Sequence, residues 1–348
     1  MRTAVVVVPR ERFTSLPVSL RSLFATVSPD VQVVVVEGGT PPETRAELTR
    51  LVAERPFDLI SLPYMVKPNE ARNRGVAHTT SEYVVIADND IEYEPGWLDA
   101  LEEHAVANES DAVAPLICIG PPAATIIHHA GGILKATRTG DAMRLAEAHR
   151  LMDVPLADAK DRLPEVHNHV CEFHCMMVRR ELFDEMGGLD ERLITREQMD
   201  FAMRALVMDA RVTFAERSVV TYMARDAFDP VDLRYHLFRW SDRLVVESLD
   251  AFESTWGVTL DRDMFRYKWA ARHRLRAAES AYPFKRKILR KERFSRWVVD
   301  RLEARVMDEQ MRARGDIQPS VLNDLERDRI TKVIEGLVEA PLDAAATP

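Results

Sequence analysis

The chain has 348 residues, with 47 lysines and arginines against 56 aspartates and glutamates and a net charge of -9, a balance that argues against a general nucleic-acid binder, which needs a basic surface to neutralise phosphates. The length suits one large α/β domain with an appendage, or two domains. No apolar run approaches the roughly 18–20 residues that span a bilayer, and the N-terminus enters a strand without a signal-peptide pattern, so a cytoplasmic protein is expected.

Taken in chain order, apolar runs predict strands at Ala4–Val8, Val31–Val36, Asp58–Pro63, Tyr83–Ala87 and Ala112–Cys118, alternating with amphipathic segments as a parallel sheet covered by helices requires. Phe13, Leu16, Leu20, Leu23, Phe24 and Val27 recur at helical spacing, and Thr40-Pro41-Pro42-Glu43 reads as a capping box with prolines in the first turn. His128-His129 before Ala130-Gly131-Gly132 reads as a strand and turn with no chemistry assigned. From about Lys135 to Glu165 the periodicity fades and a variable excursion is expected. Val170–Val178 is strand-like, Arg180–Met186 is a short helix stopped by Gly187-Gly188, Arg196–Met208 is another helix, and Val212–Phe214 and Val219–Tyr222 are extended. After Asp229-Pro230 come long helical stretches dense in Arg, Lys and Glu, with Trp240, Trp256, Trp269 and Trp297 spread through them. The small residues and proline of 339–348 suit a disordered tail. No internal repeat is seen.

The Tyr83–Ala87 run ends abruptly in Asp88-Asn89-Asp90. A run of this length bounded by polar residues is a buried strand, and ligands of open α/β sheets gather at the carboxyl ends of such strands. Two carboxylates there are hard oxygen ligands for Mg²⁺ or Mn²⁺ when a phosphate completes the coordination, which makes a nucleotide diphosphate the natural partner. The plain alternative is an acidic pair opening a solvated loop.

With Val5-Val6-Val7-Val8-Pro9, Val35-Val36-Glu37-Gly38-Gly39-Thr40, Ala71-Arg72-Asn73-Arg74-Gly75, Asp88-Asn89-Asp90, Pro95-Gly96-Trp97-Leu98, and Met177 to Phe183 through Gly187-Gly188-Leu189-Asp190-Glu191 in order, residues 3–225 resemble the family-2 glycosyltransferases and their relatives. The resemblance implies a GT-A type, Rossmann-like, mostly parallel sheet flanked by helices, followed by a helical C-terminal region. It divides the chain into a catalytic domain at 1–228, with a nucleotide-sugar half at 1–118 and an acceptor half at 119–228, a helical region at 229–338 and the tail. It further implies that Pro9, Glu11, Glu37, Arg72, Asp88, Asn89 and His174 bind a nucleotide-diphosphate sugar (UDP or GDP), and that Asp88 and Asp90 hold Mn²⁺ or Mg²⁺. A carboxylate such as Glu37 is a good acceptor for base N–H or ribose hydroxyl groups. A guanidinium such as Arg72 bridges carboxylates and phosphates. Each has a structural alternative, a solvated strand end for Glu37 and an ion pair for Arg72.

Two departures from the family pattern bear on mechanism. Inverting relatives begin the catalytic helix with Glu-Asp, the Asp being the general base, whereas this chain has Glu197-Gln198-Met199-Asp200. Glu197 is the favoured base and Asp200 the alternative or a sugar contact, because positions three apart share a helix face. Met199, Met203 and Leu206 would form the buried stripe opposite them. An amide at Gln198 also suits a retaining transfer in which the leaving phosphate takes the proton, so inversion, though favoured, stays open. Secondly, Tyr222 stands where many relatives have a metal-binding His, leaving metal affinity to Asp90 and the diphosphate.

Other clusters are weighed against these. Cys118, Cys171 and Cys175 are too few for a disulfide framework and fit a reducing compartment. His167, His169, Cys171, His174 and Cys175 are dense enough to raise zinc, but ligands on one straight strand cannot wrap a tetrahedral ion without a turn; contacts of His174 or His169 with sugar or acceptor are favoured. The basic amphipathic stretch 284–297 offers a surface to an anionic membrane or an acidic partner, or is simply a solvated helix face. A nucleotidyltransferase would need a glycine-rich phosphate loop that Pro9-Arg10-Glu11-Arg12 lacks, and a non-catalytic GT-A-like module binding a glycan or partner is the remaining alternative. The acceptor, whether glycan, lipid-linked or small molecule, is not specified.

Overall fold

The computed structural model describes residues 3–120, 125–163, 168–223, 229–275, 292–314 and 327–339. Among the described residues, nine strands form one mixed sheet. They are β1 (Thr3–Val8), β2 (Gln32–Gly38), β3 (Asp58–Leu62), β4 (Tyr83–Asp88), β5 (Ile91–Tyr93), β6 (Ala112–Ile119), β7 (Ile126–His129), and, after a separate hairpin of β8 (Gly132–Thr139) and β9 (Ala142–His149), β10 (Cys175–Arg179) and β11 (Val212–Tyr222). The order is β3-β2-β1-β4-β10-β6-β11-β5, with β7 also on β6. The first four strands are mutually parallel, β10 enters antiparallel between β4 and β6, and β11 runs parallel to β6.

Why these runs form a double-faced sheet is visible in their alternation. Val6, Val8, Val34, Val36, Val84 and Ile86 face one layer with Ala71 and Val76 of α3 (Pro68–Ala77). Val5, Val7, Val33, Val35, Val85 and Ala87 face the other with Leu20 and Leu23 of the helix Leu16–Thr26 (α1), Leu48 of Pro42–Glu54 (α2) and Leu101 of Trp97–Ala107 (α4). Period-two side chains buried on both faces explain the unbroken valine runs, each buried valine contributing roughly 1.5–3 kcal/mol. Gly75 is where α3 lies directly on β1. A Cβ there would collide with the Val6 side chain, so Gly75→Val is expected to lower stability by about 1–3 kcal/mol, read as a fall in the thermal midpoint with the far-UV spectrum retained.

The later elements are α5 (Leu156–Ala159), α6 (Arg180–Glu185), α7 (Glu197–Val207), α8 (Leu233–Arg239), α9 (Asp242–Trp256), a π-helical stretch at Met264–Ala270, and α10 (Glu292–Arg314) and α11 (Arg327–Glu339). Among the described residues no helix is long and apolar enough to cross a membrane. Residues 284–291 of the basic stretch and 340–348 of the tail lie outside the described residues, as does His167.

Three local expectations are corrected. The first half of the 135–165 excursion is the β8–β9 hairpin, closed by Gly140-Asp141 with Gly140 at φ 61; a hairpin with its outer half exposed leaves little apolar alternation to read. Helix α2 starts after Pro41 with no side-chain cap, so Thr40 does not close a capping box. The strand expected over Val170–Val178 begins only at Cys175, because β10 pairs with β4 from there and the preceding residues turn away. Both sides of α7 are buried, Glu197, Asp200 and Arg204 as well as Met199 and Met203.

Candidate active site

Strand β4 delivers Asp88 level with Val8 at the end of β1, and the incoming β10 places His174 alongside, its carbonyl accepting from the Asp88 N–H at 3.0 Å. Asp88 is fully buried, with Arg10 Nη1 at 3.2 Å, Arg72 Nη2 at 3.2 Å and the His174 ring Nδ1 at 3.2 Å around it. Burial opposes its ionisation, but Arg10, His174 and Arg72 overcome that and hold the carboxyl far below its ordinary range. Asn89 is a structural clasp as well as a motif residue. Its Oδ1 accepts from the Arg10 N–H at 3.1 Å and its Nδ2 donates to the Arg12 carbonyl at 3.0 Å.

Asp90 is in a different state. Its side chain is buried, yet neither carboxylate oxygen has a hydrogen-bond partner among the described residues. Burial first, and the adjacent Asp88 charge second, push its pKa up to about 7. A buried carboxylate left bare is costly unless something neutralises it. Asp88, Asp90 and His174 bring their ligand atoms within 4.8 Å of one another, a donor set of two hard oxygens and one imidazole that suits a divalent cation. Tyr222 packs on His174 with ring centroids 4.3 Å apart and the planes tilted by 33°.

Beside this group opens a cavity of about 510 Å³ lined by Arg10, Glu11, His174, Glu197, Gln198 and Tyr222 from the sheet domain and by Arg239, Trp240, Phe265, Trp269 and His273 from the helical region. Arg72 lies beneath it, fully buried, its guanidinium 4.0 Å from the Phe173 ring centroid and bonded to Asn69 Oδ1 at 2.9 Å. Glu197 faces Arg239 at 3.4 Å and Arg72 at 3.7 Å. Burial opposes its charge, but Arg239, Arg72 and Arg10 prevail and its pKa is lowered. At the start of α7 the N-cap Arg196 sits at φ 64, in the left-handed region, with its guanidinium 2.9 Å from Glu147 of β9 and 4.2 Å from the Phe265 ring centroid. Gln198 donates to both Glu147 oxygens at 3.1 Å.

The residues singled out from sequence are distributed unevenly. Glu11, Asp88, Asn89, Asp90, Arg72, His174 and Glu197 converge at the cavity or its floor. Glu11 accepts from Trp240 Nε1 at 2.9 Å, and against burial His236 and Arg10 hold it at about 2. Pro9 presents its carbonyl to the Tyr235 hydroxyl at 3.2 Å. Glu37 is the penultimate residue of β2, is buried against Arg45 at 3.1 Å, and is not among the residues lining the cavity. Asp200 turns into the core, accepting from Arg204 Nε at 2.7 Å and Trp256 Nε1 at 2.9 Å. The expectation that it shares an open face with Glu197 is therefore corrected: the i to i+4 Arg204 and the α9 tryptophan claim it. Cys171 and Cys175 are buried in opposite layers of the core. Arg10 falls inside the Pro9–Glu11 segment expected at the pocket, whereas His128, Glu147, Arg239 and Trp240 carry no site signal in the sequence; His128 packs on His174 with ring centroids 5.1 Å apart.

Residues 4–187 match the sequence model of Glycosyl transferase family 2. The chain belongs to that family. It is 23% identical over 221 residues to the pre-mycofactocin glycosyltransferase of Mycobacterium tuberculosis, in both strain CDC 1551 / Oshkosh and strain H37Rv, an overlap covering 64% of this chain and 43% of the relative. The chain thus spans under half the length of the curated relatives it matches. Among solved structures, GalNAc-T7 with UDP, GalNAc and Mn²⁺ superposes with a TM-score of 0.49 at 14% identity, covering 81% of this chain and 58% of that one. The mannosyltransferase PcManGT of Pyrobaculum calidifontis, with GDP-Man and Mn²⁺, gives 0.48 at 14% identity, covering 90% and 88%.

Proposed function

We propose that this chain transfers a sugar from a nucleotide-diphosphate donor, UDP- or GDP-linked, to an acceptor hydroxyl, with inversion, and that Asp88, Asp90 and His174 hold the divalent cation, Mn²⁺ or Mg²⁺, on which the reaction depends. The observation that carries the reading is the bare, buried carboxylate of Asp90 beside the clamped Asp88 in a chain of this family. The bound cation would supply charge neutralisation for the diphosphate leaving group. The protein's own groups supply the rest. Arg10, Arg72 and Arg239 concentrate positive charge under and beside the cavity, where it favours an anionic diphosphate. Glu197, ionised and cavity-facing, accepts the proton of the acceptor hydroxyl. The aromatic wall of Trp240, Phe265 and Trp269 excludes water and receives the acceptor.

A second reading, retention, is favoured by one observation: Gln198 lines the cavity with its amide oriented by Glu147. Release of free nucleotide diphosphate from a panel of UDP-, GDP- and dTDP-sugars with Mn²⁺ or Mg²⁺, with and without EDTA, tests the central proposal. Metal-dependent release from one donor is the expected result. Binding of no donor by calorimetry would sink the site assignment, and donor binding without turnover across a broad acceptor panel would favour the non-catalytic module.

A further inference from the structure

A second cluster of metal-ligating side chains lies outside the acidic group. His129 ends β7, His149 ends β9 and Glu172 sits in the turn before β10, so three segments distant in sequence meet. Their ligand atoms lie within 4.8 Å of one another. The His129 ring is fully buried, and its Nε2 lies 3.1 Å from the Val170 carbonyl. A carbonyl can only accept, so Nε2 carries the hydrogen and Nδ1 presents its lone pair. That lone pair faces His149 Nδ1 at 3.2 Å, the rings edge to face. Burial keeps His129 neutral, with a pKa pushed down to about 3.

Two imidazole nitrogens bound to one tetrahedral ion at about 2.0–2.1 Å stand roughly 3.3 Å apart, and the observed separation is close to that. A backbone carbonyl on the far nitrogen of a ligating His is the usual device for fixing its tautomer. His149 and Glu172 both line the cavity, which provides an entry path and leaves a coordination position facing the space. The competing way to satisfy this cluster is a proton on His149, whose Nε2 lies 3.7 Å from Glu147 and 3.9 Å from Glu172.

We propose that His129, His149 and Glu172 form a second cation site, selective for a nitrogen-preferring divalent ion such as Zn²⁺, that ties the β8–β9 hairpin to the sheet at the cavity wall. With two imidazoles and one carboxylate it is softer than the set of two carboxylates and one imidazole formed by Asp88, Asp90 and His174. The same hairpin carries Glu147, which holds Arg196 and Gln198 at the start of α7, so a filled site would fix that contact. The site stands whether or not the donor assignment does.

The test is equilibrium dialysis of the full chain against Zn²⁺ with metal content measured by mass spectrometry, in the Asp90→Ala background. Asp90→Ala is expected to retain one equivalent of Zn²⁺, and Asp90→Ala/Glu172→Gln and Asp90→Ala/His149→Ala to lose it. Co²⁺ in Asp90→Ala should show the visible d–d absorption of a low-coordinate site, absent from either double variant. Zn²⁺ should raise the melting temperature of Asp90→Ala and leave the double variants unmoved, since an ion bound only to the folded state stabilises it. Glu172→Gln is nearly isosteric and keeps the test readable should His149→Ala not fold. An Asp90→Ala protein with no bound Zn²⁺, or one whose Zn²⁺ survives Glu172→Gln and His149→Ala, would overturn the proposal in favour of the protonated cluster.

Discussion

Asp90→Ala is expected to reduce metal-dependent release of nucleotide diphosphate by on the order of 10³-fold, because the cation's contribution to the leaving group is several kcal/mol and each 1.36 kcal/mol is tenfold in rate. The variant should cost little in folding. In the metal-free protein Asp90 is a buried carboxylate with no hydrogen-bond partner among the described residues and a pKa of about 7, so the wild-type side chain is itself a burden on the fold. The melting temperature of the metal-free variant should match or exceed that of wild type. Mn²⁺ should then raise the wild-type melting temperature without a comparable shift in the variant, by the linkage between binding and stability. Asp88→Ala provides the contrast. That change strips the carboxylate from between Arg10, Arg72 and His174, leaving Arg72 buried with Glu197 and Asn69 as its polar partners among the described residues, and breaking a buried pair from one side costs about 3–5 kcal/mol. Loss of turnover with loss of stability at Asp88, against loss of turnover with stability retained at Asp90, is the pattern the geometry requires. Equal destabilisation by both would mean that Asp90 is a structural residue.

How much of this was legible beforehand follows from the range over which each signal acts. The parallel strands were readable because their valines are buried on both faces, which writes an unbroken apolar run into the local sequence. The acid pair was readable because it terminates such a run. Asn89 as a clasp for the Arg10–Arg12 backbone was not, since the partner lies 77 to 79 residues away and leaves no periodicity. The cavity's outer wall was illegible for the same reason. Arg239 and Trp240 reach Glu197 and Glu11 across 42 and 229 residues, from a region whose charge density reads as a set of solvated helices. Glu147, His149 and Glu172 stand on a half-exposed hairpin and a turn, where no repeat of apolar residues marks what faces inward. Of the segment weighed for zinc, the proposed second cluster takes only Glu172, which is outside the set His167, His169, Cys171, His174 and Cys175. The chain turns between Cys171 and Cys175, sending Glu172 toward His149 and His174 toward Asp88 while the cysteines stay in the core.

Glu197→Gln separates the two stereochemical readings. With Glu197 as the base, its amide should lower kcat for transfer by about 10²–10⁴-fold, the usual worth of a positioned base. Donor binding should survive, since Asp88, Asp90 and Arg72 are untouched. Asp200→Asn is expected to behave otherwise. Its carboxylate is spent on Arg204 and Trp256 inside the core, so the amide weakens a buried ion pair and should lower the melting temperature while the folded fraction turns over at close to the wild-type rate. Gln198→Ala completes the set. Under inversion it releases Glu147 from α7 and perturbs positioning modestly. Under retention it removes the amide beside the reacting sugar and becomes the most damaging of the three, with Glu197→Gln nearly silent. Product anomeric configuration, read by proton NMR before mutarotation or on the isolated glycoside, decides independently. An inverted product with kcat collapsing only in Glu197→Gln would fix the base, because among the carboxylates of α7 Glu197 reaches the cavity and Asp200 does not.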